Sequence, residues 1–327
     1  MILLAAIHNL RLSEPTGRGV QIADGLYLTN ECSTQLERIL SRPFRLAIGG
    51  NECDSLLTGP AAVYWKDVPN EADPLQAVQT LTMWLKCLRG FFMALWVAKD
   101  NAVNCEMGFL EHDVPGQGLT HASNFIAALF SNARGGKDEV EFRLTEIRQA
   151  RQYFSDFFLP VMFGLQVGSG SALEITMKTR PAVVSAKGVH RLPRFLYFLS
   201  AARSADDLGV KVSLYMTCLE IMFSTEPTEL THRLSERVAF FLRRDPAERL
   251  AVYRSLRRAY DIRSKVVHGS VMSEQKQKGL PDVAREIDAL LRELVLKVIV
   301  DQASRQVFDM DDTDFEDYFA RLTIGIL

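Results

Sequence analysis

From Leu192 to Val307 the chain is written almost without a break in helical period. Five segments carry it: "LPRFLYFLSAARS" (192–204), "LGVKVSLYMTCLEIMFS" (208–224), "ELTHRLSERVAFFLRR" (229–244), "PAERLAVYRSLRRAYDIRSKVVHG" (246–269) and "PDVAREIDALLRELVLKVIVDQASRQV" (281–307). The links between them are short, so consecutive helices must turn back on one another and pack as an antiparallel bundle. The closing "DMDDTDFEDYFARL" reads as one more helix, acidic and amphipathic.

The first half has a different texture. "ILLAAIHNLRL", "GVQIADGLYLT" and "AAVYWKDV" are short β-prone runs set apart by breakers such as "SEPTGRG" and "IGGNECD". A long helix is predicted over 74–99, with Asp73 as N-cap, Pro74 at the first helical position, and an apolar stripe from Leu75 through Leu81, Leu85, Leu88 and Phe92 to Leu95. "AVNCEMGFLEHD" is a further strand candidate, a Gly/Pro-rich loop follows it, and 139–158 returns to helical period. Gly164–Arg191 sustains no period and is the natural domain junction. The expected fold class is α+β: a mixed α/β domain over 1–175, an all-α bundle over 190–308, and an acidic C-terminal helix over 309–327.

A length of 327 residues favours two cores over one. The longest apolar run, "FFMALWVA", has eight residues fenced by Arg89 and Lys99. A membrane span takes about twenty, so neither a transmembrane helix nor a membrane partner is expected. The N-terminal "MILLAAIHNLRL" has no basic n-region and reads as a buried first strand. Five cysteines at 32, 53, 87, 105 and 218 have neither the paired spacing of a zinc site nor an even count for a disulfide framework. They are read as reduced core thiols, and a cytoplasmic protein is expected.

The net charge of −2 hides a segregation. Thr231–Gly269 holds ten Lys/Arg against four acids, or +6, which leaves −8 for the rest of the chain. Such a segment is either a nucleic-acid footprint, with Arg257 and Arg258 as RNA-binding candidates, or a solvated helix face. The tail, with six acids in the nine residues from Asp309 to Asp317, is either an internal mimic of RNA over that basic surface or another solvated face.

Within 246–269 the apolar side is set by Leu250, Tyr253, Leu256, Tyr260 and Val267, and Arg263 falls in phase with it. An unpaired guanidinium there is costly. Either an acid on another helix pairs with it, or it lines a cleft that an anion can enter. His268 stands at the last turn, where the helix dipole favours imidazolium, and Gly269 is the expected αL cap. His8, His112, His121, His190 and His232 have no partner at metal-ligand or triad spacing, and the glycines of "GLQVGSGSA" form no phosphate-binding loop.

The run "LYMTCLEIMFS…ELTHRLSERVAFFL…LRRAYDIRSKVVHG" resembles the HEPN superfamily, in particular its Apea-like members, over about residues 195–305. The resemblance implies a helical bundle that homodimerises so that two R-x4–6-H motifs share one cleft. It also implies a metal-independent endoribonuclease, needing no cofactor, of a prokaryotic defence or toxin type, with RNA as substrate and an antitoxin or defence protein as partner. On this reading Arg263 holds the scissile phosphate and His268 moves the proton of the 2′-OH or the leaving oxygen. Ser264 and Lys265 support the site. Glu220 and Arg237 also fall on family positions, where either a buried ion pair within the bundle or a direct part in catalysis is expected. The alternative is a HEPN module that dimerises and binds RNA or protein without catalysis, and residues 1–175 would be a sensor or specificity module.

Overall fold

The computed structural model describes residues 1–65, 70–163, 190–225 and 230–326. The chain divides into two compact units, Met1–Phe130 with Lys137–Lys178, and Ser131–Gly136 with Thr179–Leu327. The junction expected within Gly164–Arg191 and the glycines of "GLQVGSGSA" fall in 164–189, outside the described residues but for the last two positions of that stretch.

The first unit is built on a six-stranded antiparallel sheet. Its strands are β1 (Ile2–Ile7), β3 (Val20–Ala23), β4 (Leu26–Thr29), β5 (Ala61–Trp65), β6 (Met107–Val114) and β7 (Gly118–Phe125), in the order β3-β4-β5-β1-β6-β7. β2 (Leu10–Leu12) pairs separately, in parallel, with β8 (Val140–Phe142). β1 is apolar at every position because it is central and covered on both faces. Register sorts those faces. Leu4, Tyr64 and Phe109 lie opposite one another across three strands, as do Ala6 and Ala62. This face packs on Leu36, Phe44, Ile48 and Leu56 of α1 (Cys32–Leu36), α2 (Arg42–Ile48) and α3 (Gly50–Thr58).

Leu3, Trp65 and Leu110, with Ala5, Val63 and Gly108, make the opposite face. α4 (Pro74–Ala98) lies there, capped by Asp73 accepting from Leu75 N at 2.9 Å. Gly108 permits the close approach, since a Cβ on it would stand 2.8 Å from Leu85 and 3.2 Å from Trp84. α5 (Leu144–Tyr153) continues through a π-helical turn, Phe154–Phe158, into α6 (Leu159–Phe163) and packs on α4.

Three expectations for this half need correction. The stretch around "IGGNECD", read as a breaker between strands, belongs to a run of three short helices, α1 to α3, each too short to show a sustained period. The loop expected after β6 is a tight hairpin into β7, a strand whose exposed faces give it little apolar signal. α4 is long and apolar enough to cross a membrane by length and composition, although no single apolar run in it exceeds eight residues; 78% of its most apolar window is buried inside the protein. All five cysteines are buried and unpaired.

The second unit holds α7 (Arg191–Arg203), α8 (Leu208–Phe223), α9 (Leu230–Leu242), α10 (Pro246–Val267), α11 (Glu274–Val300), α12 (Gln302–Val307) and α13 (Asp312–Ile324). α8 packs against α7, α9, α10 and α11 and buries residues around most of its circumference. Its polar groups are therefore paired inside. Lys211 Nζ donates to Ser131 Oγ at 2.9 Å and to Ala202 O at 3.1 Å, capping the carbonyl end of α7 and fastening 131–136 to the helices. Tyr215 OH donates to Asp288 Oδ1 at 2.8 Å, and Arg292 Nε to Asp288 Oδ2 at 3.0 Å, which ties α8 to α11.

The helix expected to start at Pro281 starts seven residues earlier, and Pro281 sits inside it. It also stops at Val300, where Asp301 caps a new helix by accepting from Ala303 N. The acidic tail forms α13, whose Phe315 and Phe319 enter an aromatic cluster with Phe223, Phe241 and Phe308. It is the expected acidic amphipathic helix, packed through these rings, with Asp311, Asp312, Asp314 and Asp317 exposed on its solvated face.

Asp288 is the carboxylate on which two helices depend. Replacing it with Ala leaves Tyr215 OH and Arg292 Nε without this acceptor inside the unit, and the expected loss is about 3 kcal/mol. Urea unfolding followed by circular dichroism measures it; Asp288→Asn, which keeps an acceptor for Tyr215, is expected to lose less.

Candidate functional site

α10 begins with Asp245, whose side chain accepts from Ala247 N and Glu248 N, and with Pro246 at the first position. It ends as expected of "HG". Gly269 takes φ +65°, its N–H reaches Val266 O at 3.2 Å, and Ser270 N reaches Lys265 O at 2.8 Å. That is a Schellman closure, with His268 as the C-cap residue. His268 is thus held at an exposed helix end by backbone geometry, and its own N–H donates to Ser264 O at 3.1 Å.

The buried stripe of α10 is not the expected one. Val252, Ser255, Leu256, Ala259 and Ile262 face the core, whereas Leu250 is 47% and Val267 57% exposed. Tyr253 and Tyr260 are half-buried. Counting the two tyrosines as core moved the stripe to the side; they act instead as platforms, with Arg257 over Tyr253 at 5.9 Å and Arg263 over Tyr260 at 5.3 Å. Arg263, next to Ile262, still lies on the border of the core.

Of the two fates open to Arg263, the described one is an acid on another helix. Its NH2 group donates to Glu220 Oε2 on α8 at 2.9 Å, with side-chain exposures of 23% and 15%. The pair is bound through one contact only. Arg263 Nε and Glu220 Oε1 are both buried and make no hydrogen bond. A fork-to-fork pair would use both edges. Burial pushes the Glu220 carboxyl above its usual range, and Arg263 opposes that shift.

Glu220 and Arg237 each make an ion pair within the bundle, but not with each other. Arg237 pairs with Glu316 of α13 and donates to Phe223 O at 2.8 Å, while Arg233 reaches the same Glu316 oxygen at 2.6 Å. Glu220 of α8 is paired with α10 and Arg237 of α9 with α13, so each is satisfied by a third helix. Ser264 and Lys265 are half-buried on the last turn of α10. Arg263 and His268 are five residues apart, so one helix sets them about 140° apart in projection. A single copy presents them on different sides of the helix end.

Among the described residues, half of the ten basic residues in the segment are paired with acids outside it: Arg258 with Glu286 at 2.6 Å, Arg243 with Glu293, Arg233 and Arg237 with Glu316, and Arg263 with Glu220. Glu286 and Glu293 are seven residues apart on one face of α11, a spacing that marks them as partners for a basic neighbour. Of the RNA-binding candidates, then, Arg258 has an acid and Arg257 has a tyrosine ring beside it.

The other histidines lie elsewhere. His112 Nδ1 meets Glu71 O at 2.7 Å. His121 Nε2 and Ser41 Oγ converge on Glu111 Oε2, at 3.0 and 2.6 Å. That order, with the carboxylate in the middle and Ser41 also capping α2, activates no nucleophile.

Comparison with protein-family models, with curated proteins and with solved structures returns no match for this chain.

The Glu220–Arg263 pair sets a pH dependence. A carboxyl whose folded pKa lies above its unfolded value supports folding fully below the unfolded value and loses that support as pH rises through the folded one. Removing Arg263 removes the charge that opposes the upward shift. Arg263→Ala is therefore expected to be destabilised by about 1–3 kcal/mol at neutral pH. The gap to wild type should narrow as pH falls from about 8 to about 4, where the carboxyl is protonated. Thermal denaturation of both proteins across that range tests it; a constant gap would mean that the pair is not the cause.

Proposed function

We propose that the second unit is a HEPN-type endoribonuclease of the Apea-like kind, cleaving RNA without a metal by attack of a 2′-OH on the adjacent phosphate. The observation that carries this reading is the end of α10. An arginine with an unused buried Nε and an exposed histidine fixed by a Schellman closure occupy the arginine and histidine of the R-x4-H motif. In this mechanism Arg263 leaves Glu220, or shares itself with it, and binds the non-bridging phosphate oxygens, where charge grows in the transition state. His268 takes the 2′-OH proton or supplies one to the 5′ oxygen, and the products are a 2′,3′-cyclic phosphate and a 5′-OH. Since the two groups lie on different sides of one helix end, the active form is a homodimer in which two copies of α10 complete a common site.

Such a protein fits prokaryotic defence or a toxin–antitoxin pair, acting in the cytoplasm, with the first unit as its sensor. A second reading, a dimeric module that binds RNA or protein without cleaving, draws on one observation: Arg263 is already engaged by Glu220.

One assay separates the two. Wild type incubated with a mixed RNA substrate in chelator is expected to give fragments with cyclic phosphate ends. His268→Ala and Arg263→Ala should each lower the rate by about 10²-fold or more. Glu220→Gln, which removes the competing charge, should tighten RNA binding. Wild type that binds RNA and never cuts it supports the second reading; wild type that does neither, or variants that cut as well as wild type, would overturn the first. Sedimentation should give a dimer.

A further inference from the structure

The first unit contains a cavity of about 280 Å³ between α4, the β3–β4 turn and the π-helical turn after α5. Water alone does not suit it. Its wall carries the rings of Trp65, Trp84, Phe91 and Phe154 together with Met83 and Leu88. Polar groups gather at one place only, where Asp24, Gln76, Gln79 and Thr80 contribute to the lining. Gln76, Gln79 and Asp24 are exposed and Thr80 half-buried, so this polar group marks the mouth.

Two features shape the cavity wall. Trp84 is 2% exposed, and its Nε1 is buried without a hydrogen-bond partner. Buried indole N–H groups usually find one. The Cζ3 corner of this indole stands against Gly108 of β6, while the cavity lies toward β3 and β4. Nε1 has almost no accessible surface, so what this indole offers the cavity is its apolar ring and not its N–H. The second feature is Gly25, at φ +72° in the β3–β4 turn. Any Cβ there would overlap Trp65 Nε1, so the glycine lets the Trp65 ring close over the turn and form one wall.

We propose that this cavity is a binding site for a neutral, planar heteroaromatic molecule of about the size of a purine base or nucleoside. The aromatic wall supplies flat apolar surfaces suited to a π-system. The two glutamine amides, Thr80 and Asp24 supply donors and acceptors for the polar edge at the mouth. Charge argues against a nucleotide: among the described residues the one charged side chain in the lining is an acid, Asp24, which would repel a phosphate. The proposal concerns the first unit and stands whether or not the second unit cuts RNA.

Isothermal titration calorimetry on the full chain tests it with adenine, adenosine, AMP and decanoate as probes. Adenine or adenosine should bind one to one with a Kd below about 1 mM, and AMP at least tenfold more weakly than adenosine. Trp65→Ala removes one aromatic wall of the cavity, so it should weaken binding about tenfold. Gln79→Trp, a change at an exposed position of α4, should block the mouth and abolish binding without loss of the folded state by circular dichroism. Arg263→Ala should leave purine binding unchanged, which separates this site from an RNA-cleaving one. No heat with either purine, tighter binding of decanoate or AMP, or unchanged affinity in Gln79→Trp would overturn the proposal.

Discussion

α8 is buried on most of its circumference, with Val210 its one well-exposed residue, and much of the second unit follows from that. A helix surrounded by α7, α9, α10 and α11 can carry a polar group only if a neighbour answers it. Lys211 is answered by the carbonyl end of α7 and by Ser131, Tyr215 by Asp288 on α11, and Glu220 by Arg263 on α10. Each answer comes from a different element. The polar groups of α8 therefore fix which helix lies on which side, while its apolar residues supply the burial that holds them together.

The three answers are unequal. Lys211 and Asp288 each make several hydrogen bonds, and both are almost completely buried. Glu220 and Arg263 share one contact, keep some exposure, and leave one polar atom each without a partner. Burial at Glu220 favours the neutral acid and Arg263 favours the carboxylate, so the pair is held between two opposed effects. A group in that position is easily recruited by a stronger anion, which is the physical ground for placing phosphate binding at Arg263.

The first unit solves a different problem. Its central strand β1 is apolar on both faces and so needs cover on both, which α1–α3 and α4 provide from opposite sides. α4 carries enough apolar length to pass for a membrane span because it faces the sheet on one side and α5 with the π-helical turn on the other. Where those layers fail to close, around Trp84, an aromatic cavity is left.

The sequence by itself determined the alternation of the two halves, the long helices of the second, the caps at Asp73 and Gly269, and the place of His268 at a helix end. Those are local properties, written in period, in capping chemistry and in the freedom of glycine at positive φ. It could not determine which acid answers which arginine. α13 brings Glu316 to Arg237, and the crossing of α8 with α10 brings Glu220 to Arg263. Nor could it reveal which half of the basic residues are neutralised, because Glu286 and Glu293 reach Arg258 and Arg243 only when α11 folds back. The phase of α10 was misjudged for the same reason. Tyrosine counts as apolar in a periodic pattern, but whether its ring faces the core or carries an arginine depends on the neighbouring helices. Ion pairs and cavities are set by the distances between elements, and those are decided by tertiary packing alone.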